Sequence, residues 1–170
     1  MDKEQFWGIV SAALDAEPAD VNERGEIVID QLCDMSVDQV IAFDRMYNEK
    51  AVALYTWDMV MATYLVLGDL APDKFDDFRA WIISRGRTAH KLVRGNPDEL
   101  VTLIGEQNPD GTYAARQFRD AANVAYRELQ GHDLPEPAFP PPAEPLGTPW
   151  DDSEEQLKQR LPRLYAATRG

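Results

Sequence analysis

Eleven consecutive residues, Trp57 to Leu67 (Trp-Asp-Met-Val-Met-Ala-Thr-Tyr-Leu-Val-Leu), constrain this chain more than any other stretch. On a helix, at about 100° per residue, their apolar side chains point in every direction. A helix that is apolar all round has to be enclosed by other elements. A buried strand is the rival for a short apolar run. Met, Ala and Leu favour helix, the flanking segments carry helical periodicity, and Gly68 stands where a left-handed terminator belongs. Asp58, the one formal charge, falls in the first turn, where the helix dipole favours an anion. The stretch is too short to cross a bilayer.

The neighbouring segments supply partners for it. Asp2 caps a helix from Lys3 to about Leu14, with Phe6, Trp7, Val10 and Leu14 on one face. Pro18 suits the first turn of a second helix reaching Met35, in which Gly25 costs roughly 1 kcal/mol relative to alanine. Ser36 and Gln39 form a capping box for a helix from Val37 to about Leu54. Pro72 opens a helix to Arg85, closed by Gly86, with Phe75, Phe78, Trp81 and Ile82 inward. Arg87 to Arg94 reads as a short helix, with Arg87, His90, Lys91 and Arg94 on one face and Ala89, Leu92 and Val93 on the other. Asn96-Pro97-Asp98-Glu99 starts a helix to about Glu106. After a turn at Asn108-Pro109-Asp110-Gly111, a long helix runs from Thr112 to Gln130, ended by Gly131.

The chain then changes character. Leu134 to Pro149 holds seven prolines in sixteen residues, which excludes regular helix or sheet and favours extended polyproline geometry. Pro137-Ala-Phe-Pro140 and Pro142-Ala-Glu-Pro145 match a loose PxxP pattern, and a strap laid over the surface is the plain reading. Trp150 is an anchor for a helix from Asp151 to Arg160, with Leu157, Leu161, Leu164 and Tyr165 as a docking stripe and a break at Pro162. These patterns predict an all-α protein. The expected arrangement is a single-domain orthogonal multi-helix bundle over residues 1–170 around a central apolar helix (57–67). A Pro-rich strap (135–149) leads to a C-terminal helical segment (150–168) packed back on the body.

Charge limits the function classes. A net charge of −13 repels phosphates, so nucleic acid is not an expected partner, and no apolar run approaches membrane-spanning length, so no membrane is expected either. The single cysteine, Cys33, allows no intrachain disulfide and fits a reducing compartment. The N-terminus lacks the basic start and apolar run of a signal peptide, so a cytoplasmic location is expected. No GxGxxG, P-loop, HExxH or CxxC pair is present, and His90 and His132 are the only histidines. No cofactor or metal is expected, and the motifs neither assign nor exclude an enzyme. A Cys33–His nucleophilic pair remains open; Cys33 as a small core residue is the simpler outcome.

Two constellations carry the functional reading. Asp44, Asn48, Tyr55, Asp58, Arg79 and Arg85 point inward from separate helices. They form either a buried ion-pair network or a pocket for a small polar or anionic ligand. Arg87, His90, Lys91 and Arg94 lie where five basic residues from Arg79 to Gly95 meet no acid. They form either a solvated face or a site for an anion or an acidic partner. The resulting expectation is a non-catalytic module that binds another cytoplasmic protein, with a small-ligand site or enzyme at the Asp/Arg cluster as the alternative.

Several blocks also resemble a known family. Phe6-Trp7, Tyr55-Thr56-Trp57-Asp58, the run Phe-Arg-Ala-Trp-Ile-Ile-Ser-Arg-Gly-Arg from Phe78 to Arg87, Pro149-Trp150-Asp151 and Leu161-Pro162-Arg163-Leu164 are similar to the bacterial family of domain of unknown function 4240. The resemblance implies a small cytoplasmic protein of a kind common in actinobacteria, with the Trp150 block belonging to the folded unit. It brings no activity and no catalytic residues.

Overall fold

The computed structural model describes residues 1–137 and 140–170. The first PxxP motif includes Ala138 and Phe139 and so lies partly outside the described residues. The body contains α1 (Lys3–Ala16), α2 (Val21–Cys33), α3 (Val37–Ala53), α4 (Trp57–Leu67), α5 (Pro72–Ser84) and α6 (Arg87–Gly95). A 3-10 helix (Pro97–Thr102) follows, then α7 (Arg116–Arg119) and α8 (Ala121–Gln130). The C-terminal segment adds α9 (Glu154–Arg160) and α10 (Pro162–Arg169). Among the described residues the one β-type contact is a parallel bridge between Thr56 and Leu146.

Local chemistry explains most of the boundaries. Asp2 with Gln5 and Ser36 with Gln39 form reciprocal capping boxes at α1 and α3. The Thr56 hydroxyl accepts from the Met59 N–H at 3.1 Å, and Gly68, at φ 70°, closes α4 in the left-handed conformation. Pro162 opens α10 at the point where the C-terminal helix was expected to break.

Three boundaries depart from expectation. The start of α2 is set by Asp20, whose carboxylate accepts from the Asn22 N–H at 2.8 Å, and Pro18 stays outside the helix. The Asn96 segment tightens into a 3-10 helix that stops at Thr102. The long helix expected from Thr112 is replaced by a loop and two shorter helices that meet at Asp120. Side-chain amides hold that loop: Asn22 and Asn108 each donate to the Ala114 carbonyl at 2.9 Å, and the Gln117 N–H donates to Asn22 at 3.2 Å. These bonds satisfy backbone groups that a helix would otherwise satisfy.

They also seat α7 against α2 at Gly25. A Cβ at that position would lie 2.5 Å from the Phe118 nitrogen and 2.6 Å from the Gln117 carbonyl carbon, both backbone atoms. Gly25 is therefore the point of closest helix approach, which outweighs its cost in helix propensity.

The core runs from Phe6 to Leu164 as one cluster. Phe78 and Trp81 stack at 5.7 Å, with Tyr113 edge-on to both. No residue of α4 is exposed, but Trp57, Val60, Tyr64 and Leu67 are only half-buried. The most enclosed stretch is Ala80–Ser84 of α5, buried at five successive positions and hence around the whole circumference of that helix. The two helices differ in what surrounds them. Body helices enclose α5, whereas α4 packs on α5 and the 3-10 helix from the body and takes part of its cover from α10 of the C-terminal segment.

Candidate functional site

The six inward polar residues do not converge. Asp44 accepts from the Asn48 amide at 3.0 Å, one turn along α3. Burial pushes the Asp44 carboxyl above its ordinary range, and the Asn48 hydrogen bond partly opposes that. Asp58 pairs with Arg160, 102 positions away in the chain, at 2.9 Å through Nε. Arg85 donates Nη1 to the Pro18 carbonyl at 3.1 Å and pairs through Nη2 with Glu106. Arg79 and Tyr55 do meet. The Arg79 guanidinium donates to the Ala51 carbonyl at 3.0 Å, pairs with Asp76 at 2.5 Å, and lies 4.6 Å from the Phe75 ring and 5.3 Å from the Tyr55 ring. The periodicity of α3, α4 and α5 gave each side chain a direction but no partner. The partners Glu106 and Arg160 come from segments whose positions no helical wheel contains.

The basic face is also divided. His90 is buried beside Ala89 and Val93, while Leu92 turns outward. The His90 Nε2 lies 3.0 Å from the Lys50 carbonyl, and because a carbonyl only accepts, Nε2 carries the proton. Its ring sits 5.4 Å from that of Trp7, and burial lowers its pKa. Arg87 pairs with Glu4 at 2.6 Å; Lys91 and Arg94 are exposed. An arc containing Leu92 and one containing His90 are about equally narrow on the wheel, and the waiting Lys50 carbonyl and Trp7 ring decide for His90.

The Cys33–His pair does not form. The Cys33 thiol donates to Glu128 at 3.2 Å, and burial together with that carboxylate pushes it up to about 11, so it stays protonated at neutral pH. The described residues contain no group of three or more His, Cys, Asp or Glu placed to hold a metal ion. No helix among them is long and apolar enough to cross a membrane.

The arrangement with the most evident binding capacity is a cleft of about 420 Å³ beneath the proline-rich strap. One wall is aromatic: Thr56 caps α4 and so sets Trp57, Tyr55 precedes it, and Pro72 starts α5 one turn before Phe75. Pro141, Pro142 and Pro145 of the strap also line it. The Leu146 N–H donates to the Tyr55 carbonyl at 3.0 Å, and the Trp57 N–H donates to the Leu146 carbonyl at 2.9 Å, which fixes the strap against the aromatic wall. Asp76 and Arg79 close one end, and Leu70 in the lining is itself exposed. Trp57, Phe75 and the prolines read in sequence as core and covering. The signal that joins them is the strap's pairing with Tyr55 and Trp57, which is tertiary.

No curated protein and no solved structure matches this chain. Residues 1–128, which end short of the strap, α9 and α10, match the family described as a protein of unknown function (DUF4240), and the chain belongs to that family.

Proposed function

We propose that this protein is a non-catalytic interaction module of the cytoplasm that takes an extended segment of another protein in the aromatic cleft. The observation that carries the reading is the combination of aromatic and proline side chains around about 420 Å³ of open space. Flat aromatic and pyrrolidine surfaces are the ones that extended, proline-containing segments dock on with little entropic loss. The chain's own Leu146 pairs as a parallel bridge with the backbone of Tyr55 and Trp57, two residues of the cleft lining, so the backbone beside the cleft accepts an extended partner. The Asp76 carboxylate is about half-exposed, and the body carries −13, so a segment with a basic residue is favoured.

The small-ligand alternative required Asp44, Asp58, Arg79 and Arg85 to share one pocket, and each has a separate partner. Selection from a random peptide display library tests the interaction reading. Enriched sequences should contain proline with a nearby lysine or arginine, and the enrichment should disappear with Leu70→Glu and Trp57→Ser. Enrichment that both variants retain, or no enrichment with the wild type, removes it.

A further inference from the structure

A second site follows from an imbalance of charge at the C-terminal end of α5. Arg24 is among the largest wholly enclosed side chains, 1% exposed. Its Nη1 donates to the carbonyls of Glu17 at 3.2 Å and Pro18 at 3.1 Å, and its Nη2 donates to the Ser84 hydroxyl at 2.9 Å. All these acceptors are neutral, and its buried Nε has no acceptor among the described residues. Burial and the nearby Arg85 pull the guanidinium down to about 10, so it remains charged at neutral pH. Arg85 donates Nη1 to the same Pro18 carbonyl, again at 3.1 Å. Two guanidiniums therefore converge on one carbonyl oxygen, and the only carboxylate in contact with either, among the described residues, is that of Glu106 on Arg85.

That contact is incomplete. The Nε–H and Nη2–H of an arginine lie along one edge, which a carboxylate or phosphate can grip with two oxygens. Glu106 pairs with Nη2, and the buried Arg85 Nε has no acceptor among the described residues. Glu106 is also about half-exposed, in the loop beyond the 3-10 helix, where it can swing away. Directly in front of Arg85 a cleft of about 340 Å³ opens between Pro18–Ala19 and Glu106–Pro109.

We infer that this cleft binds the oxyanion group of a small molecule, two-pronged on the Nε and Nη2 of Arg85, with Glu106 as the internal stand-in that the ligand displaces. Arg24 behind it adds a fixed positive charge that makes no direct ion pair among the described residues, with the carboxylates of Asp20, Glu17 and Glu106 offsetting part of it from a distance. The cleft shares no lining residue with the aromatic cleft, so the two readings stand or fall separately.

Nitrogen–proton correlation spectra of the full chain test the inference through the Arg85 Nε–H signal, assigned by its loss in Arg85→Lys. Inorganic phosphate and acetate are titrated in separate arms, with chloride at matched ionic strength as the control. The expected result is a saturable shift of the Arg85 signal with at least one oxyanion. The arm that saturates at lower concentration identifies phosphate or carboxylate as the ligand group. Glu106→Gln, which keeps a neutral acceptor for the fold, should bind about tenfold more tightly, because a charge-assisted competitor has been removed. Arg85→Lys should lose the backbone shifts around Ala19 and Gln107. A wild-type signal that moves no more than in chloride, a Glu106→Gln variant that binds no tighter, or an Arg85→Lys variant that keeps the backbone shifts overturns the assignment. Should Arg85→Lys fail to fold, the wild-type and Glu106→Gln titrations decide the matter.

Discussion

The body through Gln130 and the cover from Leu146 onward are held by different means. Inside the body, α2 and α7 approach closely enough at Gly25 for backbone to touch backbone, and Trp81, Phe78 and Phe118 are fully enclosed. The cover has three buried leucines, Leu157, Leu161 and Leu164, and otherwise depends on discrete clips. Asp98 accepts from the Leu164 N–H at 2.8 Å and the Arg163 N–H at 3.2 Å; Arg160 grips Asp58; Trp150 lies 5.2 Å from Tyr64; and Leu146 bridges to Thr56. Shape holds the body and a few chemical contacts hold the cover. Damage to the first should spread, and damage to the second should stay local.

The largest effect is expected at Gly25. In Gly25→Ala the new methyl meets the backbone of Gln117 and Phe118, which cannot rotate away as a side chain would. Overpacking of this kind costs about 3 kcal/mol, and the better helix propensity of alanine returns up to about 1 kcal/mol. A net loss of about 2 kcal/mol in urea unfolding, with one cooperative transition, is the expected outcome. Stability equal to the wild type would show that α7 yields, and that the body is no more rigid than the cover.

Asp98→Ala comes next and probes the cover. Its buried carboxylate does for α10 what an N-cap residue does, but from a distant segment of the chain. Its removal should cost about 1–2 kcal/mol. The loss should appear in hydrogen exchange as faster opening of residues 150–169, with α2, α5 and α8 unchanged. Uniform acceleration across the chain would mean that body and cover open together.

The difference between the regions also explains what the sequence disclosed. The limits of α3, α4 and α5, the terminators Gly68 and Gly131 and the break at Pro162 depend on residues within a few positions of one another, so local patterns reveal them. The division of the expected Thr112–Gln130 helix depends on Asn22 and Gly25, far away along the chain, together with the nearby Asn108. The same limit scattered the candidate site. The Asp76–Arg79 pair spans one helical turn and was legible in principle, whereas Arg160 on Asp58 and Glu106 on Arg85 were not. His90 shows a finer failure, because its direction was uncertain by one residue and that residue separated surface from core.

Acid should weaken the body through His90. Its folded pKa lies below the ordinary value of about 6.5, because burial disfavours the imidazolium and Lys50 and Arg94 add positive charge nearby. As pH falls through about 6.5 the unfolded chain takes up a proton that the folded chain resists, so stability is lost on acidification and is fully present above that pH. The slope from one such proton reaches at most about 1.4 kcal/mol per pH unit. Asp44 and Asp77, whose carboxyls are raised by burial, act in the opposite direction at lower pH. The contribution of His90 is therefore read as the difference between the wild type and His90→Gln, whose amide can still donate to the Lys50 carbonyl. A difference that stays constant between pH 7.5 and about 5 would show that His90 does not titrate differently on unfolding.

The smallest effect is expected from the Asp58 carboxylate, another that holds the cover. Asp58 and Arg160 form a two-pronged pair, but the Asp58 side chain is 45% exposed, so water and salt screen most of the attraction. Arg160 also donates to the Thr148 carbonyl at 2.8 Å, so it ties the end of the strap to α9 as well as α9 to α4. Arg160→Met should therefore cost under about 1 kcal/mol. It should speed exchange in the same 150–169 span as Asp98→Ala, by a smaller factor. Moderate salt separates the two clips. It should shrink the gap between Arg160→Met and the wild type, since the exposed pair is already screened, and should leave the effect of Asp98→Ala nearly unchanged, since its N–H bonds are enclosed. Equal salt sensitivity in both variants would mean that Asp98 is as wet as Asp58, and the cover would then rest on its three leucines alone.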